Sequence, residues 1–288
     1  MAISISQAYI DTFESNVRYL AQQFETKLRG TVMERATNGS DHNWDRLGVL
    51  DAADKTAART ATPEQDAEWS RRVSQAGTKH IGTSTEQEDP IQMLIDPNSS
   101  LVQAVGAGMR RGLDDVVIAA ATADAQTGTG TPEAFPAGQI IGDGTTEISF
   151  DFVTQIQQKF MENDIDPSVP KVAVVGPAQV RKLMQLTQQT SADYVNREAL
   201  QQLNASGIVP NWLGFTWIMS TRLLTPIAGQ RQCLFYTDKA LGLQMNRDIT
   251  TRVQEDPSIS FAWRIYAYMT LGAVRVEDEQ IVQGYFAD

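Results

Sequence analysis

The sequence predicts an α+β protein with a long helix, a hairpin that cannot stand alone and a mixed α/β body. Three observations carry that expectation. Ile95 to Ala125 reads as one long helix, although Gly106, Gly108 and Gly112 all lie inside it. Residues 36–90 are poor in large apolar side chains yet patterned for extended chain. From Ser149 onward, short helical and strand patterns alternate and lead to one unusually long strand, "FAWRIYAYMTLGAVRV".

The bulk properties narrow the function. A chain of 288 residues can form one large domain or two ordinary ones. It carries 35 acids against 24 bases, a net charge of −11. That disfavours a nucleic-acid binder, because phosphate recognition rests on clustered Lys and Arg. Cys233 is the single cysteine, which excludes an intrachain disulfide and a thiolate metal cluster. The opening "MAISISQAYIDTFES" lacks the basic and apolar regions of a secretory signal. No apolar run approaches the ~20 residues that span a bilayer. The expected setting is a reducing cytoplasm with no membrane, where the sequons at Asn38, Asn98 and Asn204 carry no glycan.

Tyr9, Phe13, Val17, Leu20, Phe24 and Leu28 recur every three or four positions, an amphipathic helix stripe with Gly30 as its stop. It packs either on its own core or, as an arm, on a neighbouring subunit. The 36–90 segment reads as a long two-stranded hairpin with its tip near Ala61–Ala67. Its large apolar residues are only Trp44, Leu47, Val49, Leu50, Trp69, Val73 and Ile81. Ordering each backbone residue costs about 1–2 kcal/mol, and a lone two-stranded hairpin is marginal. So few apolar side chains cannot offset that cost: either the segment is disordered, or other chains hold it. A strand of roughly sixteen residues would reach on the order of 50 Å, across a neighbour.

The long helix starts on Asp96-Pro97-Asn98-Ser99 and carries the stripe Leu101, Val105, Met109, Leu113, Val116 and Ala120. Each interior glycine costs about 0.8–1 kcal/mol relative to alanine. Such small residues admit close packing, ease bending of the helix, or do both. Residues 126–146 form a Gly/Thr/Pro-rich connector, and Gly128-Thr129-Gly130 lacks the strand and Gly-Lys-Ser/Thr of a phosphate loop. Phe150, Val153, Ile156 and Phe160 suit a helix ended by Asp164-Ile165-Asp166-Pro167, and "KVAVVGP" a buried strand. Pro177 opens the next helix. A further helix, "SADYVNREALQQLN", ends at Gly207. "LGFTWIMS" places Phe215, Trp217 and Met219 on one strand face, and "CLFYT", "ALGLQM" and "ITTRVQED" read as three more strands. The odd positions from Phe261 to Ala273 form one apolar face, and "EQIVQGYF" is a last short strand.

Catalytic chemistry is missing. His42 and His80 both fall in the polar hairpin segment, so the α/β part has no histidine base for a triad. Asp114-Asp115 and the Glu86/Glu88/Asp89 group read as solvated faces or salt-bridge partners. The expectation is no catalytic residue, no metal, no cofactor and no enzyme: an architectural protein.

The order of these parts, with "EDPIQMLIDPNSSLVQAVGAGMRRGLDDVVIAAA", "VNREALQQLNASGIVPNWLGFTWIMSTRL", "EWSRRVSQ" and "GAVRVEDEQIVQGYF", resembles tailed-bacteriophage major capsid proteins of the Hong Kong 97-like fold. The resemblance implies an N-terminal arm over 1–35 and an extension loop over 36–94 that lies on the next subunit. It implies a peripheral domain with the spine helix over 95–139 and 238–278, and an axial domain over 140–237 and 279–288. Intersubunit contacts would come from Tyr9, Phe13, Val17, Leu20 and Phe24 of the arm, and from Trp44, Arg59, Trp69, Arg71, Arg72 and Lys79 of the loop. Gly106, Gly108 and Gly112 would let the spine helix bend in the precursor shell and relax on expansion.

The partners implied are copies of itself in hexamers and pentamers, with separate scaffolding, portal and decoration proteins. The product is a virion shell, assembled in the host bacterial cytoplasm, around double-stranded DNA held without sequence-specific contacts. Some members cross-link a loop lysine to an asparagine of the next subunit; Lys55 and Lys79 lie in the right segment, and nothing in the sequence identifies their partners. The alternatives left open are an encapsulin-type nanocompartment shell, a tail or neck protein, and a soluble α/β enzyme with an unrecognised site.

Overall fold

A computed structural model of the chain describes residues 22–55, 57–59, 64–85, 97–185 and 208–288. The arm positions Tyr9, Phe13, Val17 and Leu20, the hairpin tip at 61–63 and the helix expected over 191–204 lie outside the described residues.

In chain order, β1 (Met33–Ala36) leads to the hairpin β2 (Asp41–Leu47) and β3 (Trp69–Gln75), then β4 (Gly77–Thr85) and the helix α1 (Pro97–Thr122). Short strands β5 (Ala125–Gln126), β6 (Pro132–Glu133) and β7 (Ile140–Ile141) precede α2 (Phe150–Glu162). Then come β8 (Lys171–Val175), α3 (Pro177–Gln185), β9 (Ile208–Trp212), β10 (Phe215–Met219) and β11 (Gln230–Thr237). The long pair β12 (Leu241–Asp256) and β13 (Ala262–Arg275) and the final β14 (Ile281–Ala287) complete the order. One sheet has the order β1-β12-β13-β4 and another β7-β14-β11-β8-β10-β9; β2-β3 and β5-β6 are two-stranded.

The chain divides into two compact units. One holds residues up to Thr26 with Thr78–Leu113 and Arg247–Thr270; the other holds Lys27–Gly77, Asp114–Asn246 and Leu271–Asp288. The division falls within α1, β12 and β13 rather than at their ends.

The larger unit is built around the six-stranded sheet. β8 pairs parallel with β10 and antiparallel with β11, which pairs in turn with β14. All five residues of β8 are buried, as its continuous apolar run requires. Trp217 packs tilted against Trp212 with centroids 4.9 Å apart and donates its indole N–H to the Trp212 carbonyl at 2.8 Å. Phe215 and Phe235 pack edge-on at 5.8 Å, with Phe160 of α2 closing the cluster. Helix α2 starts on Ser149, whose hydroxyl accepts the Phe152 N–H, and buries Val153, Ile156 and Phe160 as its stripe predicts.

Several expectations need correction. The hairpin strands pair over seven residues each, Asp41–Leu47 with Trp69–Gln75, not over sixteen. Beyond Gln75 the chain turns into β4, an edge strand of the four-stranded sheet, so His80 sits there rather than in the hairpin. "ALGLQM" and "ITTRVQED" form one strand of 16 residues. On β13 the odd positions Ile265, Ala267, Met269 and Leu271 are buried, but Phe261 lies in the preceding turn and the parity is lost at Gly272. The cause at Gly272 is a crossing: a Cβ there would lie 2.2 Å from the Gln75 carbonyl oxygen, so the backbones come too close for any side chain.

The helix pattern expected up to Arg29 is not seen over the described residues 22–28; a single 3-10 turn follows at Arg29–Thr31. The reason is Asp114. Its carboxylate accepts the backbone N–H groups of Lys27 and Leu28 at 3.1–3.2 Å, and so competes with helical bonding there. Asp114 is therefore a buried side chain, not a solvated face. The buried face of α1 also differs from one narrow stripe. After Leu113 it comprises Asp114, Val117, Ile118 and Ala121, while Val116 and Ala120 are only half-buried.

Cys233 on β11 is fully enclosed, and desolvation pushes its thiol up to about 12. A thiol reagent at neutral pH is expected to leave the folded chain unmodified and to label it only on unfolding. Free-thiol labelling rates in the native chain would show that the six-stranded sheet is not closed as described.

Candidate assembly surfaces

The hairpin is tied to its own chain at the root. Side chains alternate on β3, so Arg72 and Ser74 turn inward while Trp69 and Arg71 stay exposed. Trp44 packs in a buried cluster with Ala125, Val274 and Val276. Its indole N–H donates to the Ser74 hydroxyl at 3.1 Å, and that hydroxyl donates to the Gln244 side-chain carbonyl at 2.8 Å. Gly242 makes room for the ring, since a Cβ there would meet Trp44 at 2.5 Å.

Beside Trp44 lies a charge cluster in which Arg72, Arg275 and Asp278 are buried and Glu133 is half-exposed. Arg72 Nη2 donates to Asp278 Oδ2 at 2.6 Å, and Arg72 also pairs with Glu133. Arg275 donates through Nε to the other oxygen of Asp278. Its remaining N–H groups reach the carbonyls of Ala123 at 2.7 Å, Glu133 at 3.0 Å and Ala134 at 3.2 Å, with the guanidinium over the Phe135 ring. Two cations thus face two carboxylates, and one of them, Asp278, bridges both guanidinium groups. The hydrogen bond from Arg72 holds the Glu133 carboxyl below its usual range.

The rest of the hairpin is uncovered. Residues 48–55, 57–59 and 68–71 are exposed, including Val49 at 90% and Trp69 at 73%. Leu47 and Leu50 are exposed as well, and Arg71 pairs with Asp45 of the same hairpin at 2.6 Å. Arg59 is exposed with φ 61°, a backbone state uncommon for a side-chain-bearing residue. Of the loop residues expected at a subunit contact, Trp69, Arg59, Arg71 and Lys79 therefore face solvent. Trp44 and Arg72 have almost no surface left for a neighbour.

The other unit has an uncovered end of its own. The distal half of the β12–β13 ribbon is mostly exposed, with Val253 near the end of β12 and Ile259 and Phe261 in the turn facing solvent. Ser260 and Phe261 both take positive φ, 56° and 60°. For a residue as bulky as Phe that geometry costs on the order of 1–3 kcal/mol. The sequence gives no warning of this tip, because the apolar alternation of β13 absorbs Phe261 into the strand.

Within the same unit, α1 and β4 border a groove of about 330 Å³ lined by Ile81, Gly108, Met109, Gly112 and Met269. None of the three helix glycines is enforced by backbone crowding. Among the described residues, a Cβ on Gly106 would touch nothing, one on Gly112 would make ordinary contact with Met269 at 3.5 Å, and one on Gly108 would meet side-chain ends, Ile81 at 2.8 Å and Arg111 at 3.6 Å. Arg111 donates to Gln22 at 2.7 Å and to the Gln23 carbonyl at 3.0 Å, and Arg110 reaches the Phe24 carbonyl at 3.3 Å. The end of the expected arm is thereby fixed to the helix at this point.

Replacing Arg72 with methionine would leave the buried Asp278 short of one cation and the half-exposed Glu133 without its arginine partner. Urea unfolding is expected to show a loss of about 3–5 kcal/mol, the usual cost of breaking a buried pair from one side. The share contributed by Glu133 follows pH: it is present in full above 4.5, the ordinary value, and is lost as pH falls through the lower folded-state value. An unchanged urea midpoint in Arg72→Met would remove the cluster's assigned role.

A family model described as phage capsid protein matches residues 5–288. No curated protein matches the sequence. Among solved structures, the capsid of cyanophage P-SCSP1u superposes with a TM-score of 0.73 at 14% identity, over 100% of this chain and 96% of that one. The capsid asymmetric unit of cyanophage Pam1 gives 0.71 at 13%, over 99% and 98%. The capsid of Ralstonia phage GP4 gives 0.73 at 9%, over 100% and 98%. At such identities the likeness speaks for the fold, which is the Hong Kong 97-like fold that the sequence resemblance implied. With a family model spanning all but four residues at one end, the chain belongs to the phage capsid protein family.

Proposed function

We propose that the chain is the major capsid protein of a tailed bacteriophage. Its copies associate as hexamers and pentamers and close into the icosahedral shell of the virion around double-stranded DNA. The observation that carries this reading is the family match over 5–288. The exposed apolar ends support it: Leu47, Val49, Leu50 and Trp69 on the hairpin, and Val253, Ile259 and Phe261 on the ribbon, are surfaces that a neighbouring copy would cover. The excess of 35 acids over 24 bases suits a container that encloses phosphate without gripping it. Scaffolding, portal and decoration functions belong to separate proteins, and the chain's role is structural rather than enzymatic.

Electron microscopy of the purified protein is expected to show closed shells or capsomer rings. A chain that stays monomeric or dimeric under all assembly conditions would overturn the reading. Trp69→Ala should leave the fold intact, because the side chain touches solvent, yet impair assembly by about 2 kcal/mol or more per contact if Trp69 is an interface anchor.

The glycines of α1 fit a helix that must deform during shell maturation, since no backbone crowding among the described residues demands them. Gly106→Ala is expected to stabilise the isolated chain by about 0.8–1 kcal/mol and to slow expansion of precursor shells. Normal expansion kinetics in a stabilised Gly106→Ala shell would remove the flexibility role.

A further inference from the structure

The link between β1 and β2 contains Asn38-Gly39, the single Asn-Gly pair in the sequence. Both residues are exposed, in a bend at the root of the hairpin. That bend is held by its carbonyl groups. Gln244 Nε2 donates to the Gly39 oxygen at 3.0 Å and to the Ser40 oxygen at 3.4 Å, and Asn246 Nδ2 also donates to the Gly39 oxygen. The Ala76 N–H holds Ser40 from the far side at 2.8 Å. The N–H of Gly39 donates to no acceptor among the described residues. With no side chain on Gly39, that nitrogen is also unshielded: a Cβ there would approach only backbone atoms of Asp41, the nearer at 3.2 Å.

We propose that Asn38 is a site of spontaneous deamidation, a slow chemical modification at the hairpin root. The Gly39 nitrogen, having lost its proton to solvent base, attacks the side-chain carbonyl carbon of Asn38. A carbon–nitrogen bond closes a five-membered succinimide, and the side-chain nitrogen takes up a proton and leaves as ammonia. Water then adds to one of the two ring carbonyls. One opening yields aspartate; the other yields isoaspartate, in which the main chain runs through the former side-chain carbon. One water enters, one ammonia leaves, and nothing is oxidised or reduced.

The bend cannot absorb the isoaspartyl product without loss. The Thr37 N–H is tied to the Met245 carbonyl at 3.1 Å, and its hydroxyl to Asn246 at 3.0 Å. Gly39 is tied by its own carbonyl. An added methylene between two fixed flanks must loosen one of them, and the link carries a new negative charge. Ageing at this one bond would therefore alter how the hairpin leaves the body of the protein.

The test is to age the folded protein at mildly alkaline pH and map its peptides by mass spectrometry, with isoaspartyl methyltransferase as the label. The expected result is that the peptide holding Asn38 gains more acid form than all other asparagine sites together, and takes up methyl label. Asn38→Gln should abolish the signal, because its ring would be six-membered. Gly39→Ala should reduce it by hindering the attacking nitrogen. Retained protection of Cys233 from thiol reagents certifies that both variants are folded. An Asn38 that survives in the folded protein while the urea-unfolded protein converts would overturn the proposal, as would a Gly39→Ala variant that converts as fast as the parent. Neither outcome depends on whether the chain forms shells.

Discussion

Asp278 lies between two buried guanidinium groups, and the placement of the hairpin depends on it. Arg72 comes from β3 and Arg275 from the end of β13, positions far apart in sequence that this carboxylate joins. In a low-dielectric site each charge is costly to strand, so an arrangement that moves Arg72 away loses much more than one hydrogen bond. Trp44, Ser74 and Gln244 continue the same attachment with neutral groups. Two-stranded hairpins do not hold a direction unaided; here the root is fixed by polar contacts while the far end keeps its apolar side chains unspent.

That division repeats across the molecule. The six-stranded sheet encloses most of its aromatic side chains, with Trp217, Phe215 and Phe235 fully buried. The ribbon turn does the reverse, since Phe261 is 57% exposed on a backbone conformation that a phenylalanine rarely adopts. Holding a phenylalanine in that conformation has a cost, which fits the proposed role of this turn as a surface for neighbouring copies. The glycines of α1 tell a similar story, because they forgo helix stability without any neighbouring backbone that requires them.

What could be read beforehand followed from periodicity. The stripe of α2, the buried run of β8, Pro177 at the start of α3 and the hairpin of β2 with β3 all express one local rule each, and each rule was sufficient. The misreadings arose where a distant partner intervened. Nothing near Lys27 announces that Asp114, 87 residues on, will claim its N–H and stop a helical pattern. Gly272 breaks the alternation of β13 because another strand's carbonyl crosses there. Arg72 and Trp44 were expected at a subunit contact because a sparse, polar segment offers no sign of which face turns inward; Asp278 and Arg275, which decide it, lie about 200 residues downstream. An arginine at a register position where β13 should bury an apolar residue was the one available hint.

The position of β14 has a consequence for how the protein is made. It lies between β11 and β7, and its residues Ile281, Val282 and Phe286 are enclosed. During synthesis, β11 must wait with one edge open until Ile281–Ala287 leaves the ribosome, about fifty residues later. Asp278 arrives just ahead of that strand, so the hairpin root also stays loose until then. A ribosome that stalls early therefore releases a polypeptide with an incomplete sheet and an unanchored loop, and such a fragment is poorly suited to poison a growing lattice by adding to it.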